Sequence, residues 1–423
     1  MKRLTQLDGL RGIAALIVVI FHLSLIAQPF LDTNTTGDPW WWISETPLRL
    51  ATDGTQAVLL FFVLSGLVVA LPALRAGFTK FSWKKYFASR FIRLYIPAWG
   101  ALVVASILIL FVPRPSANVT GNYWLSTTNA KSVQWLTFLQ NATLMKVGNA
   151  TDNVLWSLRW EIIFSVLLPV FVLAAIIIRR SWVAFGLSMA LCVALTIGDP
   201  NHADAAFYLP VFMMGTLMAS RLEAIQEWSK HRSRMFWVLT LSASLFGMIG
   251  TQLFLFEAPS NSPTFGFLWS LVGAGAAGII LCAIGFDSVR NFLNTRVSQY
   301  LGKISFSLYL IHVPILASLA FLFGDAQWWL VAIVGIPLSL AAATVFHRFV
   351  EVPSMNLAHR GGARVARPKP EPTTARPTTA NSTTGEEILP DWVDTSTGPL
   401  PTYDAPPRDY VSGAEMPHYA AVR

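Results

Sequence analysis

Arg11 and His22 stand at the two ends of one apolar run, LDGLRGIAALIVVIFHLSLIA, residues 7–27. An ionisable side chain inside a membrane-length apolar segment is costly and points to function by default. Eleven residues separate the two, about 16 Å of helix rise and about three turns, so they share a face. One helical stripe therefore offers a guanidinium that can hold an anion near one end and an imidazole that can act as a base near the other. Arg11 is expected at the cytoplasmic mouth and His22 in the outer third of the bilayer. Two plainer readings stand beside this one: Arg11 as a snorkelling anchor, and His22 as a neutral interhelical hydrogen-bonding group.

The elements that must position these residues are membrane helices. Hydrophobic residues make up 54% of the 423-residue chain and charged residues only 13%, against about 25% charged in soluble domains. Mean hydropathy is +0.51. Apolar runs long enough to span fall at about 10–27, 55–74, 94–112, 156–178, 182–198, 205–220, 236–256, 265–285, 304–323 and 328–348. The expected fold is therefore an all-α polytopic membrane protein with about ten transmembrane helices. The first run has no small-residue cleavage motif behind it and reads as a retained helix, not a signal peptide. Basic residues crowd every second connection, from Arg75 to Arg93, at Arg179 and Arg180, from Arg221 to Arg234, and from Arg290 to Lys303. With Lys2 and Arg3 they number 17 on one side, against Arg49, Arg114, Lys131 and Lys146 on the other. The imbalance puts both termini in the cytoplasm. It also explains the formal charge of +8 as a topology signal, so no nucleic-acid partner is expected. Cys192 and Cys282 sit singly in apolar runs with no disulfide or zinc spacing, and no metal site is expected.

Two organisational features flank the spans. The outer loops 28–54 and 113–155 are long, and long loops in compact structures are often functional. They are expected to shape an acceptor site or to be mobile surface. Residues 1–353 form the membrane domain. Residues 354–423, with 11 prolines from Pro353 onward among Thr, Ser and acidic residues, read as a disordered cytoplasmic tail open to a partner.

Three further constellations carry chemistry. Glu161, in VLWSLRWEIIFSVLLP (154–169), is expected at the depth of His22, where a carboxylate would fix the imidazole tautomer and raise its basicity. A structural pair with Arg159 or another cation is the alternative. The loop RAGFTKFSWKKYFASRFIRLYIP (75–97) mixes six cations with aromatics and no acid, which suits anionic lipid headgroups or the phosphates and base of a nucleotide. His312, in ISFSLYLIHVPIL (304–316), reads as catalytic, a proton relay or a packing residue. Glu351, near the end of the last span, reads as a structural partner of Arg348 or of an inner-loop cation.

Taken in order, these segments resemble the acyltransferase-3 family of membrane-bound acyltransferases over about residues 4–353. Arg11 and His22 resemble its first-helix R-x10-H pattern, and FFVLSGLVVA (61–70) its FFVLSGF segment. RFIRLYIP resembles its R-x-x-R-L-x-x-P stretch, and VLWSLRWEIIFS, with Trp156, its W-S-L-x-x-E-x-x-F helix. SFSLYLIHVPI and FVEVP, with His312 and Glu351, resemble its last two motifs. Ser165 departs from the tyrosine common after the Glu-x-x-Phe. The resemblance implies transfer of an acyl group, often acetyl, from cytoplasmic acyl-CoA to a hydroxyl of an envelope glycan, glycolipid or related acceptor in a bacterial plasma membrane. It implies that Arg11, Arg90 and Arg93 hold the CoA end, that Ser65 and Gly66 let the pantetheine arm pass, and that His22 is general base with Glu161 as its orienter. A secondary transporter of an envelope precursor or small organic acid is the alternative; it predicts inverted repeats, and the two halves show no convincing self-similarity.

Overall fold

The apolar runs fold as helices because a backbone in lipid must satisfy its own hydrogen bonds. The computed structural model describes residues 4–33, 35, 37–119, 122–146, 151–196, 205–254 and 263–366. Sixteen α-helices follow in order. They are α1 (Thr5–Leu31), α2 (Pro39–Ser44), α3 (Gly54–Ala76), α4 (Trp83–Phe111), α5 (Tyr123–Thr128), α6 (Trp135–Ala142), α7 (Trp156–Ile178), α8 (Trp182–Leu195), α9 (Ala205–Ser220), α10 (Leu222–Lys230), α11 (Arg234–Phe254), α12 (Pro263–Gly285), α13 (Asp287–Leu293), α14 (Arg296–Phe323), α15 (Trp328–Phe346) and α16 (Val352–Ala366). No strand occurs among the described residues.

Each of the ten expected spans coincides with one of these helices, but not all reach spanning length. Among the described residues six segments are long and apolar enough to cross a membrane, and α12 with α13, bent by 90°, makes a seventh if counted as one broken span. The α8 helix has only 14 residues, about 21 Å of rise against a hydrocarbon core of about 30 Å. The apolar parts of α9 and α11 are likewise short, at Phe207–Ser220 and Arg234–Gly250. The chain is thus a polytopic membrane protein, all-helical over the described residues, with six or seven spans among them by length.

Helices α1, α3 and α14 form the buried centre. Helices α4, α7, α8 and α15 lie further out and expose apolar side chains such as Leu110, Val170, Leu187 and Ile333, as a lipid-facing surface requires. Small residues let the central helices close. A side chain on Gly12 of α1 would strike the backbone of Leu301 and Gly302 on α14, and one on Gly302 would strike the Asp8 carbonyl. Gly66 and Gly215 do the same between α3 and α9: a side chain on Gly66 would run into the Phe212 carbonyl oxygen, and one on Gly215 into that of Val63. This is the small-residue packing that brings helix backbones together in lipid.

The membrane domain does not stop at residue 353. After α15 the backbone winds as a π turn over His347–Glu351 and continues as α16 through Ala366. Pro353 follows directly on this π turn, whose wider winding, with the Val352 N–H bonded to the His347 carbonyl, lets the helix run on past a residue that has no N–H of its own. The α16 helix packs along α4, with Ser354 and Ala358 buried. The expected tail therefore loses its first 13 residues, 354–366, to a helix. The remainder, including the separate unit Lys369–Arg423, lies outside the described residues.

Candidate active site

The Gly12–Gly302 contact sets what happens ten residues further along both helices. Helices α1 and α14 run parallel from that contact, so His22 and His312 come level and meet. His312 Nε2 lies 3.0 Å from His22 Nδ1. His312 Nδ1 lies 2.9 Å from the Leu308 carbonyl oxygen, and His22 Nδ1 lies 2.9 Å from that of Val18. A carbonyl oxygen only accepts, so both Nδ1 atoms carry hydrogen. His312 Nε2 is then an acceptor for the His22 Nδ1–H, which it shares with Val18. In the neutral ring this fixes the tautomer of His22: its Nε2 is unprotonated and has the lone pair of a base. Both histidines are buried.

His22 borders a cavity of about 270 Å³. Its walls include Trp124 and Thr128 from α5, Thr55 from the start of α3, Asn153 from the turn before α7, Trp156 from the start of α7, and Tyr309 from α14. The Trp124 ring centroid is 5.5 Å from that of His22. The long loop reaches this depth because Asn122 donates to the Leu25 and Ile26 carbonyls of α1, at 2.8 and 3.1 Å, while its Oδ1 caps α5 at Leu125 N. Tyr309 is held by Ser157 Oγ at 2.7 Å and donates to the Val154 carbonyl at 3.1 Å. Both long loops thus supply walls of the cavity, through Thr128 from one and Gly54 from the other.

Two buried aspartates flank it in sequence. Asp152, only 1% exposed, precedes Asn153 and Val154, and neither of its oxygens has a well-formed hydrogen bond. Burial pushes its carboxyl up to about 8, opposed only by a loose approach to the Val154 amide that falls short of a helix cap. Asp53 precedes Gly54, and burial pushes it up to about 7 against the pull of Arg49, whose Nε is 3.4 Å away.

Glu161 is not at this level and does not orient His22. It faces Arg90 and Ser65: Arg90 Nη2 donates to Glu161 Oε1 at 2.8 Å, and Ser65 Oγ donates to the same oxygen at 2.6 Å. The reason is depth. Asn153 and Val154 of the turn Asn153–Leu155, and Trp156, the first residue of α7, line the His22 cavity, so Glu161 sits five residues, about 8 Å, further along α7. Arg159, the alternative partner, instead lies over the Trp160 ring at 5.1 Å. Ser165, one turn past Glu161, accepts from Arg90 Nε at 3.1 Å and donates to the Glu161 carbonyl at 2.6 Å. Arg90 Nη2 also donates to Ser65 Oγ at 3.3 Å, so Ser165, where tyrosine is common, gives Arg90 a third partner. Arg93 lies within electrostatic range of Arg90, Arg11, Glu161 and Glu351, and Arg11 within that of Glu161 also.

Other expectations change. Gly66 is occupied by the Phe212 carbonyl, so it closes α3 on α9 and leaves no room for a donor arm along that face. Glu351 pairs with His347 Nδ1 at 2.9 Å and accepts from Ser307 Oγ at 2.5 Å. Its expected partner Arg348 lies over Phe349, 5.8 Å from the ring centroid. The π turn sets the His347–Glu351 pair, and such turns recur at functional sites. The imidazole pair had a signal in the sequence: Gly12 to His22 and Gly302 to His312 are both G-x9-H spacings.

An all-helical membrane protein with a buried imidazole pair over a cavity, and an arginine–carboxylate cluster beneath it, is built for polar chemistry inside a bilayer. The chain belongs to the acyltransferase-3 family, whose model, described as an acyltransferase domain, matches residues 4–348. It is 26% identical over 404 residues to the acyltransferase MdmB of Streptomyces mycarofaciens, covering 88% of this chain and 96% of that protein. It is 24% identical over 381 residues to the O-acetyltransferase PaAT-1 of Phomopsis amygdali, covering 75% and 73%. It is 23% identical over 387 residues to a Bacillus subtilis (strain 168) protein named "Putative peptidoglycan O-acetyltransferase YrhL", covering 85% of this chain and 56% of that one. No solved structure matches it. Family membership makes this a membrane acyltransferase and decides against the transporter alternative.

Proposed function

We propose that the protein transfers an acyl group, acetyl in the first instance, from cytoplasmic acyl-CoA to a hydroxyl of an envelope glycan, glycolipid or related acceptor in a bacterial plasma membrane, with both termini in the cytoplasm. The observation that carries this reading is the His22–His312 pair at the cavity wall. The names of the relatives PaAT-1 and YrhL support oxygen as the acceptor atom.

In this reading His22 Nε2 takes the proton of the acceptor hydroxyl. The oxygen attacks the thioester carbonyl, the C–S bond breaks, and the thiolate leaves with the proton that His22 returns. The positive charge that His22 carries in between is spread by its Nδ1–H, which points at His312 Nε2 and the Val18 carbonyl. His312 is a positioning residue: it fixes the tautomer in place of the carboxylate expected there. Trp124, Trp156 and Tyr309 offer faces to a sugar ring, and Thr55, Thr128 and Asn153 offer polar groups to its hydroxyls. Arg90, with Arg11 and Arg93, receives the anionic donor. Glu161 holds Arg90 in place and offsets its charge when the site is empty.

The test is twofold. Mass spectrometry of envelope glycans and lipids, with and without the protein, should show an acyl increment on one component. Purified protein should then label that component from radiolabelled acetyl-CoA. An unchanged envelope in cells that make the protein, together with no labelling, would overturn the reading.

A further inference from the structure

A second cavity, of about 570 Å³, opens between the ends of α3, α7 and α9 and the start of α10. Arg75, Arg179, Arg180 and Arg221 line it, against a single acidic residue, Glu223. Basic residues at the cytoplasmic ends of helices are ordinary topology. These four come from three separate connections and converge on one concavity, where like charges repel. Arg179, Arg180 and Arg221 have no ion pair among the described residues, and Glu223 neutralises none of them. Arg221 is fixed without spending its charge: its guanidinium lies 4.0 Å over the Trp182 ring, and its Nε is buried with no hydrogen-bond partner. Leu222, Glu223 and Ala224 on the wall are the first turn of α10, which has no side-chain cap. The free N–H groups of a first turn favour an anion.

We propose that this cavity is a binding site for a phosphate-bearing anion. Two sources supply that chemistry: the nucleotide end of a CoA-type donor, or the headgroup of an anionic lipid. On α3 the lining residues Leu71, Leu74 and Arg75 lie six to ten residues past Ser65, the residue that bonds Glu161, about 9–15 Å toward the basic end. Ile177 and Val183, either side of the two arginines, are 60% and 70% exposed, so acyl chains lying along α7 and α8 reach the same cavity. The nucleotide source rests on the acyl-CoA reading above; the lipid source does not.

The experiment uses full-length protein in phosphatidylcholine nanodiscs and the double variant Arg179→Gln/Arg180→Gln. Calorimetry measures binding of CoA, 3′,5′-ADP and acetyl-pantetheine. A thermal melt measures the stabilisation gained when phosphatidylglycerol replaces part of the phosphatidylcholine. Loss of two charge-assisted phosphate contacts should weaken binding about tenfold or more. If CoA and 3′,5′-ADP weaken while acetyl-pantetheine is unchanged, the anion is the donor nucleotide. If nucleotide binding holds and the phosphatidylglycerol stabilisation is lost, it is a lipid headgroup. Loss of both means that the two compete for one site. The Arg179→Lys/Arg180→Lys variant should recover most of whichever effect is seen. If a folded Gln variant matches wild type in both measurements, or acetyl-pantetheine weakens as much as CoA, the proposal fails. Wild-type protein that binds no CoA counts against the donor reading, and the lipid measurement still tests the cavity.

Discussion

At the scale of single residues, the chemistry rests on His22 and on what fixes its proton. If His312 acts only by holding the His22 Nδ1–H, its loss matters only while His22 is present. His22→Ala should lower the turnover of folded protein by about 10²–10⁴-fold, the usual cost of a general base. His312→Ala should lower it by a smaller factor, about tenfold or more, and adding it to His22→Ala should cost little further, since residues acting as a unit are non-additive. Additive losses would show that His312 meets a substrate independently. Asp152 makes a different prediction, about pH. Its folded pKa is raised to about 8 from an ordinary 3.8. The folded state therefore holds the proton more tightly than the unfolded one. That contribution is fully present below about pH 4 and is lost as pH rises to about 8, where the buried carboxyl ionises without a partner. Asp152→Asn should raise the melting temperature by about 2–5 °C at pH 8.5 and by less at pH 5. An equal change at both values would mean that the carboxylate finds water or a cation.

At the scale of helices, the site depends on the register between α1 and α14. The parallel pairing converts one glycine contact into one histidine contact about 15 Å along both helices. Gly302→Leu should wedge the two apart, lower thermal stability as over-packing does, by about 1–3 kcal/mol, and reduce turnover at least as much as His312→Ala. Gly186→Leu is the control, because nothing lies within 4 Å of the side chain it would gain. A Gly302→Leu protein with reduced stability but full turnover would separate the glycine contact from the imidazole pair. This pairing was written in the sequence as two equal G-x9-H spacings, but equal spacings bring residues together only on parallel neighbours, and no residue pattern marks α1 and α14 as such a pair. Ionisable residues in apolar runs are conspicuous one at a time, so Arg11, His22, Glu161 and His312 all stood out. Which of them pair did not. Glu161 misled because the depth of α7 is set by the turn Asn153–Leu155, which carries no hydropathy signal of its own.

At the scale of the whole molecule, hydropathy located ten helices but could not give their lengths. Short apolar segments such as α8 read like full spans once flanking residues are counted in. Pro353 and the proline-rich composition after it read as the end of the fold, yet the π turn before Pro353 carries the helix past it, and α16 follows. The boundary that matters for stability is thus set by packing on α4 and not by composition. Two truncations distinguish these. Removal of residues 369–423 takes away only the second unit, whose Pro/Thr-rich sequence has no apolar periodicity, and should leave insertion, melting temperature and basal transfer unchanged. Removal of everything after residue 353 also deletes α16 and uncovers the face of α4 against which Ser354 and Ala358 are buried. It frees the π turn that holds Glu351 against His347 and Ser307. That shorter protein should melt several degrees lower and lose donor binding more than acceptor binding, because α4 also carries Arg90 and Arg93. Equal stability of the two truncated proteins in the same detergent would show that α16 only lies against α4, and would return the end of the working domain to residue 353.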